Sequence, residues 1–378
     1  MVDTLLVLNA GSSSVKFQLF EDARLDLLAK GEVAHLGVQP IFTAITLAPQ
    51  KTDVRALPPQ ATQELAISSI VRFVEAHDSA WRLKAVVHRI VHGGEFYVRP
   101  VVITPHVVGD LEKLSSLAPL HQPHNLAGIG IIDALAKAGG SAPMPQVACF
   151  DTAFHAGHVP LFTSFALGAE FRDRGVRRYG FHGLSYEWIA RVLATDYPEL
   201  STRRVVVAHL GSGASLCAMR GGKSIDTTMS LTALDGLAMG TRCGALDPGA
   251  VIYMVRDLGM EVGEVEQALY NRSGLLGLSD ISNDVEILLK SADPRAVFAL
   301  DYFAMKVAQY AAMMAVSLGG LDAIVFTGGI GEHAPSVRDA IMMRLAFLAP
   351  LRMLVIPANE ERLMAMEAQL LLKASVPA

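Results

Sequence analysis

The sequence predicts a duplicated α/β fold on three observations. The chain has 378 residues, which exceeds one small core and suits two domains of roughly 150–200 residues each. Hydrophobic residues make up 51% and charged residues 18%, so the core can be large and an intrinsically disordered chain is excluded. Two stretches about 200 residues apart, LVLNAGSSSVKFQLF and VVAHLGSGASLCAMR, share one pattern: strand, Gly/Ser turn, strand. A strand–turn–strand unit is by itself a common hairpin. Two matched openings favour duplication.

The elements follow in order. Residues 5–8 form a buried-strand run, and residues 15–20 alternate apolar and polar like a half-buried strand, so the chain opens with a hairpin. Further buried strands are expected at 85–91 and 146–150. Helices are expected at about 61–76, 107–117, 124–138 and 184–195. The second half opens with a strand at 204–210, a turn at 211–215 and a returning strand at 216–219. A long helix at 294–318 has Asp293 to cap it, Pro294 in its first turn and Gly319 at its end. A strand at 323–327 precedes a Gly-rich loop, a strand is expected at 354–356, and Asn359 caps a last helix.

Net charge is −5 and the pI about 6.2, which argues against holding polyanions or membrane surfaces by bulk charge. Cys149, Cys217 and Cys243 form no CxxC pair, as expected in a reducing cytosol. The N-terminal apolar stretch is short and preceded by Asp3, unlike a signal peptide, and no run approaches a membrane span. The expectation is a cytoplasmic protein without a nucleic-acid or membrane partner.

Three Gly/Ser segments each follow an apolar strand, at 11–14, 211–215 and 328–331. Glycine lets backbone N–H groups approach a phosphate, and serine adds donors. Any one of them is an ordinary turn; three together point to a nucleotide. None is a Walker A loop or a dinucleotide fingerprint. Nine of the twelve histidines fall between His88 and His209. The spacing of His88 and His92 on an expected strand would point both the same way, but a zinc site lacks its other ligands. Donors around an anionic group, or satisfied structural histidines, are the two remaining roles. Arg89 precedes His92-Gly93-Gly94, and Arg242 is flanked by Gly240 and Gly244. An arginine in such a turn can present its fork to carboxylate or phosphate oxygens, where an isolated arginine more often makes a surface ion pair. Candidate acids are Asp151, Asp247, Glu332 and Glu360, each of which could instead be a turn or cap residue.

Nine ordered blocks resemble the acetate kinase family: LNAGSSSVKF (8–17), HRIVHGGE (88–95), APLHQPHN (118–125), FDTAFH (150–155), YGFHGLS (179–185), AHLGSGAS (208–215), MGTRCGALDPG (239–249), FTGGIGE (326–332) and IPANEE (356–361). The resemblance implies two actin-like (ribonuclease H-like) domains with an interdomain nucleotide cleft, here 1–150 with 361–378, and 151–360 carrying most of the nucleotide site. It implies reversible transfer of a phosphoryl group from ATP to acetate, giving ADP and acetyl phosphate. Asn9, Ser12 and Lys16 match the first phosphate loop, with Asn9 and Glu360 at the Mg²⁺ site, where Mn²⁺ can substitute. His209, Leu210, Gly211, Ser212 and Gly213 match the second phosphate loop. Gly329, Ile330, Gly331, Glu332 and His333, with Asp284, match the adenosine side. Arg89, His182 and Arg242 match the groups that hold the transferring phosphoryl, and Asp151 the catalytic aspartate. Val91, Leu120 and Phe181 match the pocket for the acyl methyl. The resemblance also implies a homodimer.

Some positions depart from the family. Ser212 stands where Asn is usual, and Cys243 and Ala245 where Ser and Asp are usual. Ala233 stands where a pocket proline is common, which leaves room for propionate, and Glu286 where an Arg is common. The segment between GGIGEH and IPANEE is shorter than usual. Two further functions share the fold class: an actin-like ATPase, expected to turn over ATP without a carboxylate, and a sugar kinase, which would use Asp151 as a general base.

Overall fold

The computed structural model describes residues 1–77, 79–140 and 142–374. They form two compact units, Met1–Ala153 with Asn359–Ala378, and Phe154–Ala358. No described helix is long and apolar enough to cross a membrane.

The first unit is built on β1 (Val2–Ala10), β2 (Val15–Glu21), β3 (Leu27–Ala34), β4 (Ile41–Leu47), β5 (Gln50–Ala56), β6 (Trp81–Ile90), β7 (Val101–Val102) and β8 (Gln146–Phe150). They form one sheet in the order β5-β4-β3-β2-β1-β6-β8-β7. The run β5 to β1 is antiparallel, whereas β1, β6 and β8 are parallel. Leu5, Leu6, Val7 and Leu8 are all buried, as expected of a strand covered on both faces. Leu6 and Leu8 pack with Phe17, Phe42, Ile67, Ile70 and Ile132, which brings the helices Gln63–Glu75 and Gln122–Ala138 onto that face. Thr62 caps the first of these helices by accepting from Leu65 N–H at 3.4 Å. The C-terminal helix Glu360–Ala374 packs against β1, β2 and β6.

The second unit holds β9 (Arg204–Leu210), β10 (Ala214–Arg220), β11 (Lys223–Thr227), β12 (Ala323–Thr327) and β13 (Arg352–Val355), in the order β11-β10-β9-β12-β13. β9–β11 are antiparallel; β9, β12 and β13 are parallel. This order repeats β3-β2-β1-β6-β8 of the first unit, strand for strand and direction for direction. The duplication expected from the two hairpins therefore extends to the whole five-strand core. The first unit adds the β4–β5 hairpin at one edge and β7 at the other. Pro294–Leu318 packs on β9, β10 and β11, with Asp293 accepting from Arg295 N–H at 2.8 Å and Gly319 closing it at φ 69°.

Several expectations need correction. The Gly-rich segment after β12 is a helical turn, Gly328–His333, not a loop. Gly328 starts it at φ 78°, where a Cβ would lie 2.8 Å from Leu210 O, so only glycine lets β12 turn directly against the end of β9. The expected helix at 107–117 is Pro105–Glu112 followed by a 3₁₀ turn at Ser115–Leu117. The hairpin turn of the second unit spans only 211–213, because β10 begins at Ala214. The last strand ends at Val355 rather than 356. His92 lies beyond the end of β6, and its Nδ1 accepts from Gly94 N–H at 2.9 Å, so it does not share a strand face with His88.

Candidate active site

In the first unit, the end of the β1–β2 hairpin carries the residues expected to form the first phosphate loop. Asn9 pairs with Lys16 in register, and Gly11 N–H donates to Ser14 O at 2.9 Å, which leaves Ser12 exposed at the tip. Arg89 comes from the end of β6 and Asp151 follows the end of β8. Arg89 Nε donates to Asp151 Oδ1 at 3.0 Å and Nη2 to Oδ2 at 2.9 Å, a bidentate pair with side chains 19% and 4% exposed. Burial works to lower the Arg89 pKa, but the Asp151, Glu360 and Glu361 charges outweigh it and hold the guanidinium firmly protonated. Glu361 is raised above the ordinary carboxylate range by burial and by the adjacent Glu360, against the pull of Arg89 and Lys16.

The backbone that follows Arg89 is clamped. Asn125 accepts from Val91 N–H at 3.0 Å and donates to Ala10 O at 2.8 Å, so one buried amide ties the ends of β1 and β6 together. Gln122 accepts from His92 N–H at 3.1 Å and donates to His92 O at 3.0 Å. Thr152 Oγ1 accepts from Gly93 N–H at 3.0 Å. Gln122 and Asn125 lie in the HQPHN block, but no local signal in the sequence gave them this role. Leu120, just before this block, is half-buried. His88 is a buried structural residue bonded to Gln146 at 2.7 Å, its pKa pushed down to about 4 by burial.

In the second unit, His209 lies one residue before the end of β9, and His182 precedes the helix Gly183–Asp196 with a left-handed φ of 57°. Their rings lie 4.4 Å apart. His182 Nδ1 is 2.8 Å from Ser215 Oγ, and His209 Nδ1 is 2.8 Å from Ser185 Oγ. A Cβ on Gly213 would sit 3.4 Å from His182 Nε2 and 3.8 Å from Arg242 Nη1, so these three residues converge. Arg242 Nη1 donates to Ala233 O at 3.0 Å. Desolvation lowers the Arg242 pKa, partly opposed by Tyr270. Phe181, just before His182, is fully buried; its carbonyl accepts from His155 Nε2 at 2.9 Å. His155 and His158 both bond Ser224, and burial pushes their pKa values down to about 4 and about 3.

A separate cavity of about 660 Å³ is lined by Gly211, Ser212, Asn283, Asp284, Glu286, Gly329, Ile330 and His333. The residues expected to form the second phosphate loop and the adenosine side thus share one cavity, with Val285, Leu289 and Ala334 as apolar lining. Glu332 does not line it: its Oε1 accepts from Gly328 N–H at 2.9 Å and Ala358 N–H at 3.0 Å. Gly331 is buried against the Phe326 backbone. Asp247 caps the helix Pro248–Arg256 by accepting from Gly249 N–H at 2.9 Å.

A model of the acetokinase family matches residues 4–365. The chain belongs to this family. It is 48% identical over 353 residues to an acetate kinase of Rhodopseudomonas palustris, covering 92% of this chain and 87% of that protein. It is 44% identical to an acetate kinase of Rhizobium meliloti, covering 92% and 88%. Among solved structures, a propionate kinase from Francisella tularensis aligns with a TM-score of 0.89 at 32% identity, covering 97% and 98%. An acetate kinase from Porphyromonas gingivalis aligns with a TM-score of 0.84 at 31% identity, covering 98% and 100%. Membership places the chain in a family of duplicated actin-like fold that uses ATP and small carboxylates, in keeping with the repeated five-strand core.

Proposed function

We propose that this chain transfers the γ-phosphoryl group of ATP reversibly to acetate, giving ADP and acetyl phosphate by direct in-line displacement. The observation that carries this reading is the convergence of Arg242 and His182 on Gly213 beside a cavity lined with the residues expected to hold the nucleotide. A carboxylate is already ionised at neutral pH, since model carboxyl pKa values lie near 4, so the acceptor needs no general base. The obstacle is repulsion between two anions. Arg89 and Arg242 offset that repulsion, and His182 donates to the equatorial oxygens as charge spreads over them. Asp151 orients Arg89 through its bidentate pair. That pairing argues against Asp151 as the base of a sugar kinase.

Asn9 and Glu360 supply hard oxygen donors, and the Glu360–Glu361 repulsion that raises Glu361 would be relieved by a divalent cation, which fits Mg²⁺. Bound there, the ion would neutralise phosphate charge. Val91, Leu120 and Phe181, with Ala233, are proposed to line the acyl pocket. Propionate is the second acceptor, because Ala233 offers less bulk than the proline common in the family. The three free cysteines suit a cytoplasmic location. A homodimer is proposed because the helix Pro248–Arg256 buries none of its residues while Ile252, Tyr253 and Val255 stand exposed.

Hydroxylamine trapping with Mg²⁺-ATP across formate, acetate, propionate and butyrate tests the reaction. A hydroxamate that requires acetate or propionate is expected. ATP consumption with no hydroxamate from any acid would overturn the acceptor assignment.

A further inference from the structure

The hydrogen bonds around His182 leave one place for its ring proton. Tyr186 and Ser215 are both 0% exposed, so bulk water does not reach either hydroxyl. The Tyr186 hydroxyl bonds Ser215 Oγ, and Ser215 Oγ lies 2.8 Å from His182 Nδ1. Among the described residues these are the only side-chain hydrogen bonds of the two hydroxyls. Burial and the nearby Cys217 raise the Tyr186 pKa well above its ordinary value, so the phenol keeps its proton and must donate it. Its acceptor is Ser215 Oγ. The Ser215 proton then has one acceptor left, His182 Nδ1. A buried donor without an acceptor costs about 1–3 kcal/mol, which disfavours the reverse arrangement.

We infer that Tyr186 and Ser215 are positioning residues that lock His182 in its neutral Nε2–H tautomer, so that it serves the phosphoryl group as a hydrogen-bond donor and not as a cation or a base. This rests on the proposed role of His182 in phosphoryl transfer. Ser185 acts on His209 in parallel: it is 0% exposed, it lies 2.8 Å from His209 Nδ1, and a Cβ on Gly211 would lie 3.9 Å from His209 Nε2. Both histidines thus turn Nε2 toward the 211–213 turn. Among the charged and titratable groups of the second unit, those facing His182 include Arg242, whose positive charge also opposes a second proton, together with His209 and Tyr186.

Histidine nitrogen NMR on the resting protein reads the tautomer directly, with His182→Gln to assign the signals. The expected result is protonated Nε2 and bare Nδ1, unchanged when the pH falls through 6.5, the ordinary histidine pKa. Tyr186→Phe frees Ser215 to accept, so the Nδ1 signal should gain proton character and kcat should acquire a new acid limb. In that variant kcat should fall about tenfold with both KM values nearly unchanged, less than the 10²–10³-fold typical of losing a whole donor. Ser215→Ala should do the same, and Ser215→Thr should restore the wild-type spectrum. Nδ1–H in the wild type, or a Tyr186→Phe protein with unchanged spectrum and pH profile, overturns the inference. Because the wild-type spectrum needs no substrate, it decides the matter even if Tyr186→Phe does not fold, and independently of which acid is phosphorylated.

Discussion

Arg89 and Arg242 are the same residue type in two opposite settings. Arg89, at the end of β6, is gripped by Asp151 and lies in the field of Glu360 and Glu361, which hold it protonated against its burial. Arg242, in the second unit, has desolvation as its largest influence, and its pKa moves down instead of up. It donates to the Ala233 carbonyl and to the Met239 sulfur. The first arginine belongs as much to the architecture as to the chemistry. The second is a cation held in a poorly solvated place, which is where charge acts most strongly on a reacting anion.

That contrast separates activity from stability. Arg242→Ala should lower kcat by about 10³-fold or more while unfolding free energy changes little, since removing a desolvated charge also removes its burial cost. A near-normal kcat would end the assignment. Asp151→Asn should do the reverse in emphasis: it leaves a guanidinium 19% exposed without its carboxylate, and losing one partner of such a pair costs about 3–5 kcal/mol, read as a lower denaturation midpoint. Equal stabilities for the two variants would erase the distinction. Asn125→Ala should cost about 1–3 kcal/mol for each of Val91 N–H and Ala10 O left unmet, and should raise KM for the carboxylate more than for ATP.

A further effect, spread over several pH units, is one the two units share. His88 in the first and His155 in the second each have a folded pKa of about 4, below the unfolded value near 6.5. The unfolded chain therefore binds protons first. Stability from these groups is complete above pH 6.5 and is lost as pH falls toward 4, at about 1.4 kcal/mol per pH unit for each histidine. Denaturant titrations between pH 7 and 4.5 should show this slope, and a flat profile would show that these histidines are not neutral and buried.

What the sequence made legible was local. β8 and β9, β12 and the helix Pro294–Leu318 announce themselves through apolar runs, Asp293 and Gly319. β3 and β5 leave no clear signal in the sequence, because Lys30 and Glu32 in the one and Lys51 and Arg55 in the other break up the apolar pattern. The helical turn at Gly328 looked like a loop because glycine marks both, and only the 2.8 Å approach to Leu210 shows which. The motifs located the proposed reacting side chains but not what holds them. Asn125 reaches Ala10 across 115 positions, and Ser215 meets His182 across 33, so neither role has a local signature.

The most direct single test is the dependence of ADP release on added acetate at saturating Mg²⁺-ATP. Release should stay at background without a carboxylate and rise to full turnover with acetate, and Arg242→Ala should abolish the rise. Steady ATP hydrolysis that acetate does not change would contradict phosphoryl transfer to a carboxylate and would make the chain an ATPase built on the same duplicated fold.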